Sequence, residues 1–232
     1  MFIIAGLWHG GTSLVTSCCN SHPNIDMLYE NQRIFPSFWD GRDNWKEYVT
    51  IEEEKKKQGK VFGAKFIENQ IFPFREEFKL QKLKELEREY KDNKILFLFR
   101  DSRDYVISHS NRATFDKDKC VDRWNRFTSR ALEYWKNNLH NCSVMKFEHF
   151  IKNPEKKLLE ICSFIKIDYD PQMLKFNMMN NMYKDKYGNE IHSDRRKIYK
   201  NFKDQKLIKE VETKTFKGLD ELGYIIEGGL DG

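Results

Sequence analysis

Gly6-Leu7-Trp8-His9-Gly10-Gly11-Thr12-Ser13 stands between the apolar run Phe2-Ile3-Ile4-Ala5 and the small, apolar stretch from Thr12 to Asn20. A glycine-rich turn between a strand and a helix aims backbone N–H groups and the positive end of a helix dipole at one point. That is phosphate-binding chemistry. The spacing nearly meets G-x-x-x-x-G-K-[ST], with Gly6, Gly11 and Ser13 in register. Thr12 occupies the position where that pattern needs lysine, so the loop lacks the cation that β- and γ-phosphates require. This argues against an ordinary ATP-dependent kinase. A phosphate loop of another kind and a plain tight turn both fit the residues.

A second group of residues points the same way. Ile95-Leu96-Phe97-Leu98-Phe99 is wholly apolar, as expected of a central parallel strand buried on both faces, and it delivers Arg100 to its C-terminal end. Ligand crevices of open α/β sheets form at that end. Arg100 has the geometry to grip a phosphate with two parallel hydrogen bonds, and Ser108, further along the following helix, adds a hydroxyl donor. The competing reading is a surface ion-pair cluster of Arg100, Asp101, Arg103 and Asp104.

Together these stretches resemble the sulfotransferases that use 3′-phosphoadenosine 5′-phosphosulfate (PAPS). Gly6 to Leu14 is similar to that family's 5′-phosphosulfate loop, G-x-x-[RK]-x-G-T-[ST]-L, with His9 where the family has Arg or Lys. Ser21-His22-Pro23-Asn24-Ile25 resembles the family's stretch at the end of the next helix. Leu98 to Ser108 is similar to the 3′-phosphate motif, a strand running into R-x-P-x-D with a serine eight residues after the arginine. Met145-Lys146-Phe147-Glu148-His149-Phe150, Pro154, Asp170-Pro171 and Leu222-Gly223-Tyr224 resemble later family segments, so the likeness extends over residues 1–225. In motif style it is nearest to the tyrosylprotein and carbohydrate types.

The resemblance implies roles. His9, Gly10, Gly11, Thr12 and Ser13 would hold the 5′-phosphosulfate, and Arg100 and Ser108 the 3′-phosphate, with Arg195, Arg196 and Lys197 closing over it. Glu30 falls at the catalytic glutamate of tyrosylprotein-type members and is the implied general base, with Glu68 and His109 as competitors. Lys65 would neutralise charge on the transferring group, although the family's K-x-P reads Lys65-Phe66-Ile67 here. His9 joins it as a contact to the sulfuryl oxygens. Phe147 falls at an adenine-stacking position and suits a core equally well. The implied reaction moves a sulfuryl group from PAPS to a hydroxyl or amine of a small-molecule, glycan or peptide acceptor. Adenosine 3′,5′-bisphosphate (PAP) leaves, and no metal is required. A bisphosphate-binding protein without transferase activity and a P-loop kinase are the alternatives.

Alternating strand and helix patterns must position these groups. Strands are expected at Phe2–Ala5, Val61–Ile67, Ile95–Phe99 and Ser143–Phe147. Helices are expected at 12–20, 77–93, from Asp104, at 121–139, 154–165 and 204–222. The fold class is α/β in three layers, a small central parallel sheet with helices on both faces and a P-loop-like turn after the first strand. Residues 1–232 read as a single domain. The polar stretch 177–197 reads as a long loop. With residues 33–48 and 115–119 it would wall an acceptor pocket, where Phe35, Phe38, Trp39 and Trp45 are concentrated.

Composition sets outer bounds. Lys+Arg total 41 against 36 Asp+Glu, a formal charge of +5, which suits an anionic ligand and is too small for a nucleic-acid binder. Aromatic residues at 14 % argue for a packed core. No run approaches the roughly 18 apolar residues of a membrane span. The opening apolar run lacks the flanks of a signal peptide. Five cysteines without C-x-x-C spacing, and six histidines without ligand spacing, argue against a disulfide scaffold and a metal module. A reducing, cytoplasmic setting is expected.

Overall fold

Four of the five strands are the apolar runs that the sequence marks. The computed structural model describes residues 1–28, 45–67, 93–110, 115–179, 184–185 and 188–224. Within them the strands are β1 (Phe2–Gly6), β2 (Ile25–Leu28), β3 (Val61–Ile67), β4 (Lys94–Phe99) and β5 (Cys142–Lys146). All pair in parallel, in the order β2-β3-β1-β4-β5. The helices are α1 (Thr12–Asn20), α2 (Trp45–Lys57), α3 (Ser102–Ser110), α4 (Lys117–Asn137), α5 (Phe147–Lys152), α6 (Pro154–Ile165) and α7 (Gln205–Glu221). Short 3₁₀ turns occupy Pro171–Leu174, Ser193–Arg195 and Ile198–Asn201.

The two-residue period of the strands sorts their side chains onto two cores. Ile3, Ala5, Phe62, Ala64, Phe66, Ile95, Phe97 and Phe99 face one side, where Trp124, Phe127 and Ala131 of α4 and Val211 and Leu219 of α7 cover them. Phe2, Ile4, Leu96 and Leu98 face the other, under Val15, Cys18 and Cys19 of α1 and Phe147, Phe150, Leu158 and Ile161 of α5 and α6. Helices therefore cover both faces, in three layers.

Connections set the functional edge. After β1 the chain turns towards β2 and β3, and after β4 it turns the other way towards β5. The neighbouring C-terminal ends of β1 and β4 thus diverge, and a crevice opens there. Register holds the two ends level, with Gly6 opposite Leu98.

Two expectations need correction. The stretch after α1 is not only a helix end: Ile25–Leu28 forms the edge strand β2, paired to β3. Phe147 closes no strand but opens α5. The expected helix at 77–93 lies outside the described residues but for Asn93. Among the described residues no helix is long and apolar enough to cross a membrane.

Candidate active site

The glycine loop is built by close contacts that only small residues permit. Gly11 caps α1 with φ +92°, and a β-carbon there would lie 2.1 Å from the Phe147 ring. A β-carbon on Gly6 would meet the Thr12 methyl at 2.6 Å and the Leu98 carbonyl at 2.9 Å. The Gly10 N–H donates to the Leu7 carbonyl at 2.8 Å, which folds the loop tightly. No side chain caps α1, so its first turn keeps its positive end towards the crevice. Thr12 is buried with its methyl against Gly6, while Ser13 receives a hydrogen bond from the Lys65 ammonium at 2.9 Å. Lys65 belongs to the β3 series that faces α1. The whole side chain is buried, and its ammonium lies at the first turn of that helix.

Arg100 continues the inward series Leu96, Leu98 beyond the end of β4, so its side chain turns to the α1 side. It is only 8 % exposed. Its Nη1 donates to the His9 carbonyl at 2.9 Å, and its guanidinium lies over the Phe147 ring, 5.4 Å from the centroid. Its Nε is buried without a hydrogen-bond partner among the described residues. A buried guanidinium N–H in that state is suited to an incoming anion. The Arg100 carbonyl accepts from the Trp124 indole at 2.8 Å, which fixes the backbone from the opposite face of the sheet.

His9 sits at φ 67° with its ring stacked on Trp8, centroids 5.5 Å apart, and its edge region against His109 at 4.7 Å. His109 donates its Nδ1 hydrogen to the Tyr105 carbonyl at 2.9 Å. Ser108 also donates to the Tyr105 carbonyl, at 2.6 Å.

The charged residues after Arg100 do not form one surface cluster. Asp101 caps α3, accepting from the Arg103 N–H at 3.0 Å and from its guanidinium at 2.9 and 2.7 Å. Arg103 also pairs with Glu212 of α7, and all of this is buried or nearly so. Asp104 instead accepts two backbone N–H groups from the late segment, those of Lys197 at 2.7 Å and Tyr199 at 3.0 Å. Glu148 of α5 accepts from the Asp101 N–H at 3.0 Å and from the Tyr224 hydroxyl at 2.9 Å. Burial raises the Glu148 carboxyl above the ordinary carboxylate range.

The Sulfotransferase family pattern matches residues 75–171, which span β4, Arg100 and helices α3 to α6. A Caenorhabditis briggsae protein that bears the provisional name protein-tyrosine sulfotransferase is 23 % identical over 191 residues, covering 75 % of this chain and 68 % of its own. The sulfotransferase domain of the Synechococcus PCC 7002 olefin synthase superposes with a TM-score of 0.72 at 13 % identity, over 98 % of this chain and 95 % of that domain. Mouse sulfotransferase SULT7A1, crystallised with PAP, superposes at 0.57 with 15 % identity, over 96 % and 85 %. The chain thus has the fold of the sulfotransferases and carries their family pattern over residues 75–171.

As a sulfotransferase fold, the structure brings together His9, Gly10, Gly11, Thr12, Ser13, Lys65 and Arg100 at one crevice. Ser108 lies on α3, which follows Arg100. Arg195 ends a 3₁₀ turn that lies against α5, and the next turn, Ile198–Asn201, lies against α3. Arg196 and Lys197 join the two, with Lys197 at φ 57°. Glu30 and Glu68 lie outside the described residues, as do Phe35, Phe38 and Trp39. Three residues that matter to the site had no assigned part in the sequence reading: Asp104, Glu148 and Ser17. Ser17 accepts the Met179 N–H at 3.0 Å and so ties the stretch after Phe176 to α1. Only the R-x-x-x-D spacing and the Phe147-Glu148 pair signalled the first two, and neither spacing reveals which backbone the carboxylate holds.

Proposed function

We propose that the protein transfers a sulfuryl group from PAPS to a hydroxyl or amine of an acceptor and releases PAP. One observation carries this reading. The uncapped, glycine-rich start of α1 and the buried guanidinium of Arg100 meet at the ends of β1 and β4, with Arg100 bonded to the loop at His9 and its buried Nε without a hydrogen-bond partner among the described residues. Two anion sites so placed suit a nucleotide with a 5′-phosphosulfate and a separate 3′-phosphate. The PAP in the mouse enzyme's crystal supports the same ligand class.

In the reaction the acceptor oxygen or nitrogen attacks sulfur in line. The bond from sulfur to the bridging oxygen breaks, and PAP departs with that electron pair. The loop N–H groups, Ser13 and Lys65 would stabilise charge on the sulfuryl and bridging oxygens, with His9 as a further contact. Arg100, Ser108, Arg195, Arg196 and Lys197 would hold the 3′-phosphate, and Glu30 would take the acceptor's proton. The relative's description makes a peptide tyrosine the first acceptor to try. A cytoplasmic setting belongs to this reading, supported by five buried free thiols.

Calorimetry tests the donor site. PAP should bind more tightly than adenosine 5′-monophosphate, and Arg100→Ala should weaken PAP by roughly 2–5 kcal/mol, the cost of truncating one partner of a buried, charge-assisted contact. Equal affinity for the two nucleotides would overturn the assignment. Sulfuryl turnover with PAPS then separates an enzyme from a module that only binds.

A further inference from the structure

Asp104 is fully buried and spends both carboxylate oxygens on the late segment. Oδ2 takes the Lys197 N–H at 2.7 Å and Oδ1 the Tyr199 N–H at 3.0 Å. It sits in the first turn of α3, where the helix dipole favours a carboxylate, and Ser108 lies four residues on, on the same stripe of that helix. Three further contacts fasten the same segment. The Arg103 guanidinium lies 4.0 Å from the Tyr199 ring centroid, Tyr199 packs with Ile107 and Ile208, and Gln205 donates to the Tyr199 carbonyl at 3.1 Å. Of these contacts, the Asp104 bond is the one that reaches the backbone N–H of Lys197, directly after the basic pair Arg195-Arg196, while the Lys197 carbonyl accepts from Lys200 at 3.1 Å within the next turn.

We propose that Asp104 is a positioning residue that sets selectivity for a 3′-phosphorylated nucleotide. It pins the backbone at Lys197 and Tyr199, so that Arg195, Arg196 and Lys197 arrive on the side of α3 that carries Ser108. Asp104 itself touches no ligand in this scheme. Its carboxylate gives the chain segment a fixed address, and the cations on that segment meet the phosphate. The proposal rests on the nucleotide reading above and adds the residue that makes the 3′-phosphate half of the site coherent. An asparagine there keeps the shape but can accept at only one atom. Its NH₂ group would then face a backbone N–H, donor against donor.

The test is a ratio. Affinities for PAP and for adenosine 5′-monophosphate are measured on wild type and on Asp104→Asn. The expected result is a loss of about ten- to a hundredfold in PAP affinity with monophosphate affinity held, the range that one or two charge-assisted hydrogen bonds span. A parallel loss of both nucleotides, or an unchanged ratio, overturns the proposal. Amide hydrogen exchange on the wild type needs no variant to fold. The Lys197 and Tyr199 amides should be protected, and more so with PAP than with the monophosphate. Exchange at the rate of open loop amides, with either nucleotide, overturns the proposal. A wild type that does not prefer PAP overturns the functional reading itself, a result distinct from an Asp104 variant that keeps the preference.

Discussion

His9 is the point at which this chain departs most sharply from the phosphosulfate-loop pattern. Its backbone lies in the left-handed region at φ 67°, uncommon for a residue with a β-carbon, and the Arg100 bond to its carbonyl helps hold it there. The ring is wedged between Trp8, itself 45 % exposed, and His109, so the imidazole is oriented but short of an arginine's reach. An arginine stays charged at every working pH, whereas a histidine changes charge between about pH 5 and 8. If His9 contributes a cation, turnover with PAPS should decline as pH rises past neutrality, and His9→Arg should flatten the decline. A pH–rate profile of both proteins decides it, and superimposable profiles would remove charge at His9 from the mechanism.

At the scale of elements, the loop and α5 form one unit through Gly11 and Phe147. Gly11→Ala meets two penalties, a left-handed backbone and a ring 2.1 Å from the new carbon. The sum should be roughly 2–5 kcal/mol in denaturant unfolding. On a Phe147→Ala background the ring is gone and only the backbone penalty should persist, about 1–2 kcal/mol. An equal cost on both backgrounds would show that the ring does not set the loop's shape. This pairing also marks what the sequence could reveal. Strands β1 and β4 were legible because unbroken apolar runs bury both faces, β3 and β5 because short apolar stretches persist around Lys65 and Ser143, and α6 began where Pro154 fits a first turn. β2 was not legible, because its four residues include Asp26 and follow soon after a helix end, too short for a period of two to declare itself. The starts of α3 and α4, expected at 104 and 121, lie earlier at Ser102 and Lys117, because Asp101 and Asp116 act as caps ahead of the apolar pattern. The phosphate loop and Arg100 were legible as local motifs. The tie from Asp104 to residues 197–199 was not, because a carboxylate that holds distant backbone leaves no mark on its partner's side chains.

For the whole molecule, the buried acids near the crevice give stability a pH dependence. Burial pushes the Asp104 carboxyl up to about 7, with Asp101 and Glu148 adding to the rise and Arg100 and the Tyr199 N–H opposing it. An unfolded chain releases this proton near the ordinary aspartate value, about 4. Between these values the folded protein holds a proton that the unfolded chain has lost. The contribution is therefore full in acid below the unfolded value, and it is lost as pH rises through about 7. Burial lowers the His149 imidazole, which acts in the opposite sense, with stability lost on the acid side. Comparing wild type with Asp104→Asn separates the two. The difference in unfolding free energy should shrink by roughly 2–4 kcal/mol from pH 4.5 to pH 8, wild type losing stability relative to the variant. Parallel curves would mean that Asp104 titrates alike in both states.

The place of β1 has a consequence for how the chain reaches this structure. The first strand in sequence is the middle strand in space, and its partners Gly63 and Lys94, both opposite Phe2, come much later in the chain. Five consecutive buried residues, Phe2 to Gly6, thus have nothing to pair with until those later strands exist. Loop closures of that length slow the search for the native pairing, since the entropy is lost before the contacts form. While β3 and β4 are missing, the segment is a bare apolar edge, and on a ribosome it emerges before either of its partners. For as long as those partners remain unmade, a chain of this design carries in Phe2–Gly6 a segment prone to pair with the wrong neighbour.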